Sequence, residues 1–230
     1  MPISPTAIST TADSIYHIMR ERIVSAEWMP GERLVHRHLA KHFGASNSPV
    51  LEALRRLESE GLVTSYPNAG AQVKVWTEDD IRGTFLAREA LEGVTCRLFA
   101  ENASPREKAK LVDLGKNFDD ACKAKEFDAG READIAFHLY VAGNYNTAAQ
   151  SSTLFRLVKN SCLLAATIRS ICMEKPVKKT IAGPVGVHDS LIEALNSNNP
   201  EHAENTGKAH VRESMEGVLE LFAKRGSSQR

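Results

Sequence analysis

The hydrophobic positions of this chain follow two regimes. Over the first third, short apolar groups alternate with turn residues. Ile15, Ile18, Met19 and Ile23 recur at helical spacing and predict a helix over 13–25, capped by Asp13 or Ser14. Met29-Pro30-Gly31 marks a turn, Leu34 and Val35 a short strand, and Leu39, Ala40 and Phe43 a short helix stopped by Gly44. Ser46 or Ser48 caps the next helix, with Pro49 in its first turn, Val50, Leu54 and Leu57 on its apolar face and Gly61 at its end. Residues 62–66 and 71–75 flank Pro67-Asn68-Ala69-Gly70 and read as a hairpin. The order helix, strand, helix, turn, helix, hairpin predicts a winged helix-turn-helix.

From Thr77 onward the period is helical almost throughout. Helices are expected near 77–102, 105–124, 128–143, 146–174, 186–197 and 200–224, with no proline between Pro105 and Pro176 to interrupt them. Six helices with short links predict an all-α antiparallel bundle. The fold class expected is therefore mainly α, with one small β-hairpin in the N-terminal part.

Composition narrows the class. Among 230 residues, 42% are hydrophobic and 25% charged, which excludes wholesale disorder. Lys and Arg total 29, as do Asp and Glu, so no basic coat surrounds the protein. Residues 1–12 lack the basic start and apolar run of a signal peptide, and the charge-free run 135–155 is broken by His138, Asn144, Asn146 and Gln150. A cytoplasmic protein without a membrane span is expected. Cys96, Cys122, Cys162 and Cys172 form no CxxC pair and read as reduced, buried thiols.

Two constellations carry candidate chemistry. A helix-turn-helix lays its second helix in the major groove of double-stranded DNA, tip first. That puts Ser46, Asn47 and Ser48 at base edges, where Asn can pair bidentately with adenine. Arg33 and Arg37 are candidates for phosphate or base contacts, and Gly70 lets the wing approach the DNA backbone closely. In the helical part, Asp134 and His138 are spaced i, i+4 on one helix face. His188 lies on the stripe of Leu191, Ile192 and Leu195, and His210 faces inward with Ala203, Gly207 and Val218. Three imidazoles and a carboxylate converging in a helical bundle are costly unless satisfied, and one divalent metal satisfies all four. The set suits Zn²⁺, Ni²⁺, Fe²⁺ or Mn²⁺, zinc foremost. Arg88 is either a clamp for a small carboxylate or the i+4 partner of Glu92. Asn144 and Asn160 are further candidate effector donors, Asn144 equally a cap on the turn after Gly143.

The strings Pro30-Gly31-Glu32-Arg33-Leu34, Gly44-Ala45-Ser46, Ser48-Pro49-Val50, Glu52-Ala53-Leu54-Arg55-Arg56-Leu57, Gly61-Leu62-Val63 and Pro67-Asn68-Ala69-Gly70-Ala71 resemble the DNA-binding domain of the GntR family of bacterial repressors. Ala87-Arg88-Glu89-Ala90-Leu91-Glu92-Gly93, Asp134-Ile135-Ala136-Phe137-His138, Ala142-Gly143-Asn144 and the stretch from His188 to His210 resemble the FCD ligand-binding domain that defines its FadR subfamily. The resemblance implies a regulator that dimerises and binds a small organic acid, often on a metal held by Asp134, His138, His188 and His210. It implies a boundary near 76, a helical domain over 77–225, and tails at 1–12 and 226–230. Three positions depart from the family pattern: Asn47, Leu51 and Ala69 stand where arginine is usual. Residues 1–76 carry eight Lys and Arg against seven Asp and Glu, so a shallow salt dependence of DNA binding is expected.

The leading expectation is a homodimeric repressor whose operator affinity responds to metal and a small carboxylate. The alternatives are a metal-responsive regulator without an organic effector, a regulator with weak or lost DNA binding, a helix-turn-helix used only for protein contacts, and a metal-dependent enzyme with a helix-turn-helix appendage. No HExxH-type base motif supports the last.

Overall fold

The computed structural model describes residues 11–66, 70–173 and 183–228. Residues 1–10 of the expected 1–12 tail, the wing tip at Pro67, Asn68 and Ala69, residues 174–182 with the expected helix end at 174, and residues 229–230 lie outside them; the last two tail residues, Thr11 and Ala12, instead cap and begin the first helix. The chain divides into two compact units, Met1–Trp76 and Thr77–Arg230.

The first unit contains α1 (Ala12–Val24), β1 (Arg33–Leu34), α2 (His36–Phe43), α3 (Asn47–Ser59), β2 (Val63–Tyr66) and β3 (Gly70–Val73). Thr11 caps α1, accepting from the Ser14 amide, where Asp13 or Ser14 was expected to cap. Ser46 occupies the cap position of α3 but makes no side-chain capping bond. Val35 occupies the cap position of α2, without a side-chain capping bond, rather than extending the strand. Strand order is β1-β3-β2, all antiparallel, with Leu34 opposite Ala71 and Val63 opposite Val73. Met19, Ile23, Val50, Leu57, Leu62 and Val73 close an apolar core between helices and wing. Gly70 has φ +83°, and a Cβ there would stand 3.1 Å from the Leu34 carbonyl oxygen. The fold itself demands glycine at the wing.

The second unit is helical: α4 (Glu78–Asn102), α5 (Pro105–Ala124), α6 (Phe127–Gly143), α7 (Thr153–Cys172), α8 (Asp189–Asn196) and α9 (Pro200–Ser228). Thr77 with Asp80, and Ser104 with Glu107, form reciprocal capping boxes that fix where α4 and α5 begin. Two expected helices are shorter than the period suggested. The 146–174 helix starts only at Thr153, because Asn146 turns the chain onto the Ala148 amide and a 3-10 turn, Ala149–Ser151, precedes the Ser152 cap. The 186–197 helix starts at Asp189, after turns at Val185–His188 in which Gly186 takes φ +79°. At the other end α9 continues to Ser228, past the expected stop at 224 and into the expected tail.

Phe99, Leu111, Phe137, Val141, Leu191 and Leu195 form the main core of this unit. The long helices α4 and α9 pack closely, since a Cβ on Gly207 would meet Cys96 Sγ at 2.6 Å. Among the described residues, no helix is long and apolar enough to cross a membrane. The four cysteines are free and buried.

Candidate functional site

The second unit brings Asp134, His138, His188 and His210 together. On α6, Asp134 and His138 sit one turn apart. His188 is fixed at the start of α8 by its neighbours. Its ring stacks on Phe137, with centroids 4.2 Å apart and planes at 27°, and meets Phe118 edge-on. The preceding turn is anchored where the Gly186 amide donates to Asp119 Oδ1 at 2.8 Å. His210 projects from α9 three residues beyond Gly207, where a Cβ would meet Cys96 of α4.

The three imidazoles are 1% to 8% exposed, and their centroids lie 5.1 to 5.5 Å apart. One ligand nitrogen from each falls within 4.8 Å of the others. Two nitrogens sharing one zinc are separated by about 3.4 Å for Zn–N bonds near 2.1 Å, so small ring rotations suffice to close the set. Asp134 Oδ1 lies 3.2 Å from His188 Nε2 and 3.6 Å from His138 Nε2. Yet His138 Nε2 and both ring nitrogens of His188 are buried without a hydrogen-bond partner. Orphaned buried nitrogens aimed at a shared point fit a cation ligand set.

Behind this cluster lies a polar chain that the sequence reading did not anticipate in full. His138 Nδ1 donates to Glu92 Oε2 at 2.7 Å, and Glu92 Oε1 accepts from Arg88 Nε and from Cys162 Sγ. Arg88 and Glu92 are only 4% and 3% exposed. Burial works against both charges. Each nevertheless keeps the other ionised: Glu92 raises Arg88, while Arg88 and His138 hold Glu92 well below the usual carboxylate range. Burial also opposes a charge on His138, but Glu92 outweighs it and lifts its pKa to about 9. At His210 burial, with the neighbouring imidazoles, outweighs the opposing effect of Asp134 and pushes the pKa down to about 3. Burial likewise lowers His188. Asp134 is held far below its ordinary value by His138 and His188, against the opposing effect of burial.

The cluster opens into a cavity of about 280 Å³ whose wall includes Arg88, Arg131, Asp134, His138, Arg169 and His210. Phe85, Phe118 and Phe127 supply apolar surface. Of the candidate effector residues, Arg88 is at the wall, with its Nε on Glu92. The structure does not bring Asn144 or Asn160 to it: Asn144 Nδ2 donates to the Tyr140 carbonyl at 2.8 Å, and Asn160 is exposed on α7. Arg131 and Arg169 escaped the sequence reading. Arg131 precedes Asp134 by three residues on one face and was findable by spacing. Arg169, whose Nη2 donates to Ser214 Oγ at 2.8 Å, meets the site only through helix packing.

In the first unit, Ser46, Asn47 and Ser48 are exposed at the start of α3, and Arg33 and Arg37 are exposed on β1 and α2. Arg56 is engaged within the unit, lying 3.9 Å above the Tyr16 ring and paired with Asp13.

Residues 11–73 match the bacterial regulatory proteins of the gntR family, and residues 84–213, more than half of the chain, match the FCD domain. The HTH-type transcriptional regulator YdhC of Bacillus subtilis (strain 168) is 32% identical over 109 residues, 47% of each chain. The Nta operon transcriptional regulator of Aminobacter aminovorans is 30% identical over 139 residues, 60% of this chain and 63% of its own. The match thus spans about half to two thirds of these relatives. The solved structure of McbR/YncC from E. coli shares the fold, with a TM-score of 0.71 at 19% identity, covering 95% of this chain and 99% of that one. The relatives are named as regulators of transcription, not enzymes, and this chain belongs to the gntR family of bacterial regulatory proteins, with an FCD domain as its helical unit.

Proposed function

We propose that the protein is a transcriptional repressor of the FadR subfamily, binding operator DNA as a homodimer through its winged unit and sensing a small organic acid at a divalent metal in its helical unit. The observation that carries this reading is the buried His138, His188 and His210 set, with orphaned nitrogens and the half-buried Asp134 beside it, opening into an arginine-lined cavity. Zinc suits the donors best, and when bound it supplies a Lewis-acidic centre with room for a carboxylate oxygen. Glu92 keeps the His138 proton on Nδ1, which leaves Nε2 to face the metal position. Arg88 borders the space where the acid sits.

On the DNA side, Ser46, Asn47 and Ser48 read base edges, while Arg33 and Arg37 hold phosphates. Effector binding alters operator affinity to the extent that it prefers one state of the protein. The test is fluorescence anisotropy on an operator selected from random duplexes. Zinc plus a pool of small organic acids should shift wild-type affinity by about 5-fold or more, the lower end of ordinary coupling. The double variant His188→Ala, His210→Ala should bind the same duplex without that response. A response retained in the variant contradicts the site, and failure to select any duplex contradicts the repressor.

A further inference from the structure

The exposed face of α3 holds one side chain that hydrogen bonding to DNA does not use. Val50, Ala53, Leu54 and Leu57 turn inward, and α3 packs on α1. Asn47, Ser48, Leu51, Glu52 and Arg55 are exposed on the other side. Among the described residues of α3, Leu51 is the one apolar side chain left exposed, at 37%. A lone leucine on a surface is ordinary in itself, so its position decides the matter. Viewed down the helix it stands about 40° from Asn47 and about 60° from Ser48, between the two, and about 6 Å behind Asn47 along the axis.

A helix that enters the major groove tip first carries Leu51 in behind Asn47. Base pairs rise about 3.4 Å per step, so this offset sets the leucine within about two base pairs of the asparagine. The groove floor offers ring nitrogens, carbonyl oxygens and amino groups, and one apolar group, the 5-methyl of thymine. Leucine has no donor or acceptor. Against guanine or cytosine it strips water from polar edges and returns no hydrogen bond, which is costly. Against thymine it buries a methyl group.

We infer that Leu51 is a specificity-determining residue that packs on a thymine methyl close to an adenine read by Asn47. This rests on the DNA-binding reading of α3 above. The operator half-site then has one A·T pair fixed by hydrogen bonds and a neighbouring one fixed by an apolar contact. One buried methyl group is worth about fourfold in affinity.

The test is selection of an operator from random duplexes with the full chain, then fluorescence anisotropy on that duplex with single thymines replaced by deoxyuridine. Deoxyuridine pairs as thymidine does and lacks only the methyl. At one thymine per half-site, within about two base pairs of a fixed adenine, the replacement should weaken wild-type binding about fourfold. Leu51→Ala, confirmed as folded by circular dichroism, should bind the thymine and uracil duplexes equally. Selection repeated with Leu51→Ala should keep the adenine and lose the thymine. A half-site with no fixed thymine, a wild type indifferent to deoxyuridine at every position, or the same thymine preference in Leu51→Ala overturns the assignment of Leu51 alone. Failure of the wild type to select any duplex overturns the underlying DNA-binding reading instead.

Discussion

The two units solve opposite problems with the same alphabet. Among the described residues, every buried polar or charged side chain lies in the helical unit: Arg88, Glu92, Thr95, His138, Thr167, Ser170, His188 and His210. The winged unit buries apolar side chains such as Ile15, Met19, Val50, Leu57 and Val73, and keeps its charges outside. Its stability comes from apolar area removed from water, about 1.5–3 kcal/mol per large side chain. The helical unit has an apolar core too, but it holds an ionic chain and three histidines beside it. Desolvating such groups is tolerable only when each is answered, and the unanswered ones point to what the unit binds. One unit is built to present a surface, the other to enclose a ligand.

The sharpest way to break this contrast is to remove the ligand set. His188→Ala with His210→Ala should reduce bound divalent metal from about one per chain to a trace, read by elemental analysis, while the winged unit still binds DNA. Unchanged metal content in that variant would falsify the site.

Stability should respond differently in the two cores. Leu57→Ala leaves a cavity in the winged unit and should cost about 2–5 kcal/mol, with no polar rescue available. Glu92→Leu strands the buried Arg88 cation and should cost about 3–5 kcal/mol. Adding Arg88→Met should return much of that loss. Denaturant unfolding of the three variants checks the pair, and a double variant no more stable than Glu92→Leu would show that the ion pair is not the issue.

Acid should separate the units as well. His210 has its folded pKa lowered to about 3, and His188 is lowered too, so their contribution is fully present above the unfolded value of 6.5. It is lost as pH falls below 6.5, because the unfolded chain then binds protons that the folded one refuses. His138 is raised to about 9, so its contribution is already complete below 6.5 and does not mask the loss. The metal-free protein should lose about 1 kcal/mol per pH unit through His210 between pH 6.5 and 4.5, with a further loss in the same direction from His188. Thermal melts of the His210→Gln variant should show a weaker acid dependence over that range.

The smallest effect concerns DNA. Asn47→Arg adds a cation at the exposed tip of α3 and should steepen the log–log salt dependence of duplex binding by about one unit. An unchanged slope would mean that residue 47 does not face the duplex.

Much of this was legible in the sequence because its signals are local. Caps, turn residues and apolar periods located the winged unit, and they placed α4, α5 and α6 to within a residue. Periodicity overran at 146–152, where Asn146 and Ser152 use their side chains to make a turn and a cap inside an otherwise helical pattern. It overran again before His188, where Gly186 needs a left-handed backbone. In the site, Asp134, His138, His188 and His210 were marked as polar groups on apolar stripes. Glu92 was visible as the partner of Arg88, but its bond to His138 crosses from α4 to α6 and has no sequence signature. Arg169 was hidden for the same reason. Asn144 was weighed as a ligand donor or a cap, and its amide bonds the Tyr140 carbonyl.

The most direct test of the central claim is metal content. Protein purified without chelator or nickel resin should be measured by elemental analysis and native mass spectrometry. The account predicts about one divalent metal per chain, lost when His188 and His210 are replaced. Protein that carries no metal, and takes up none on titration with zinc, would contradict it and leave Asp134, His138, His188 and His210 as a polar cluster in the helical core.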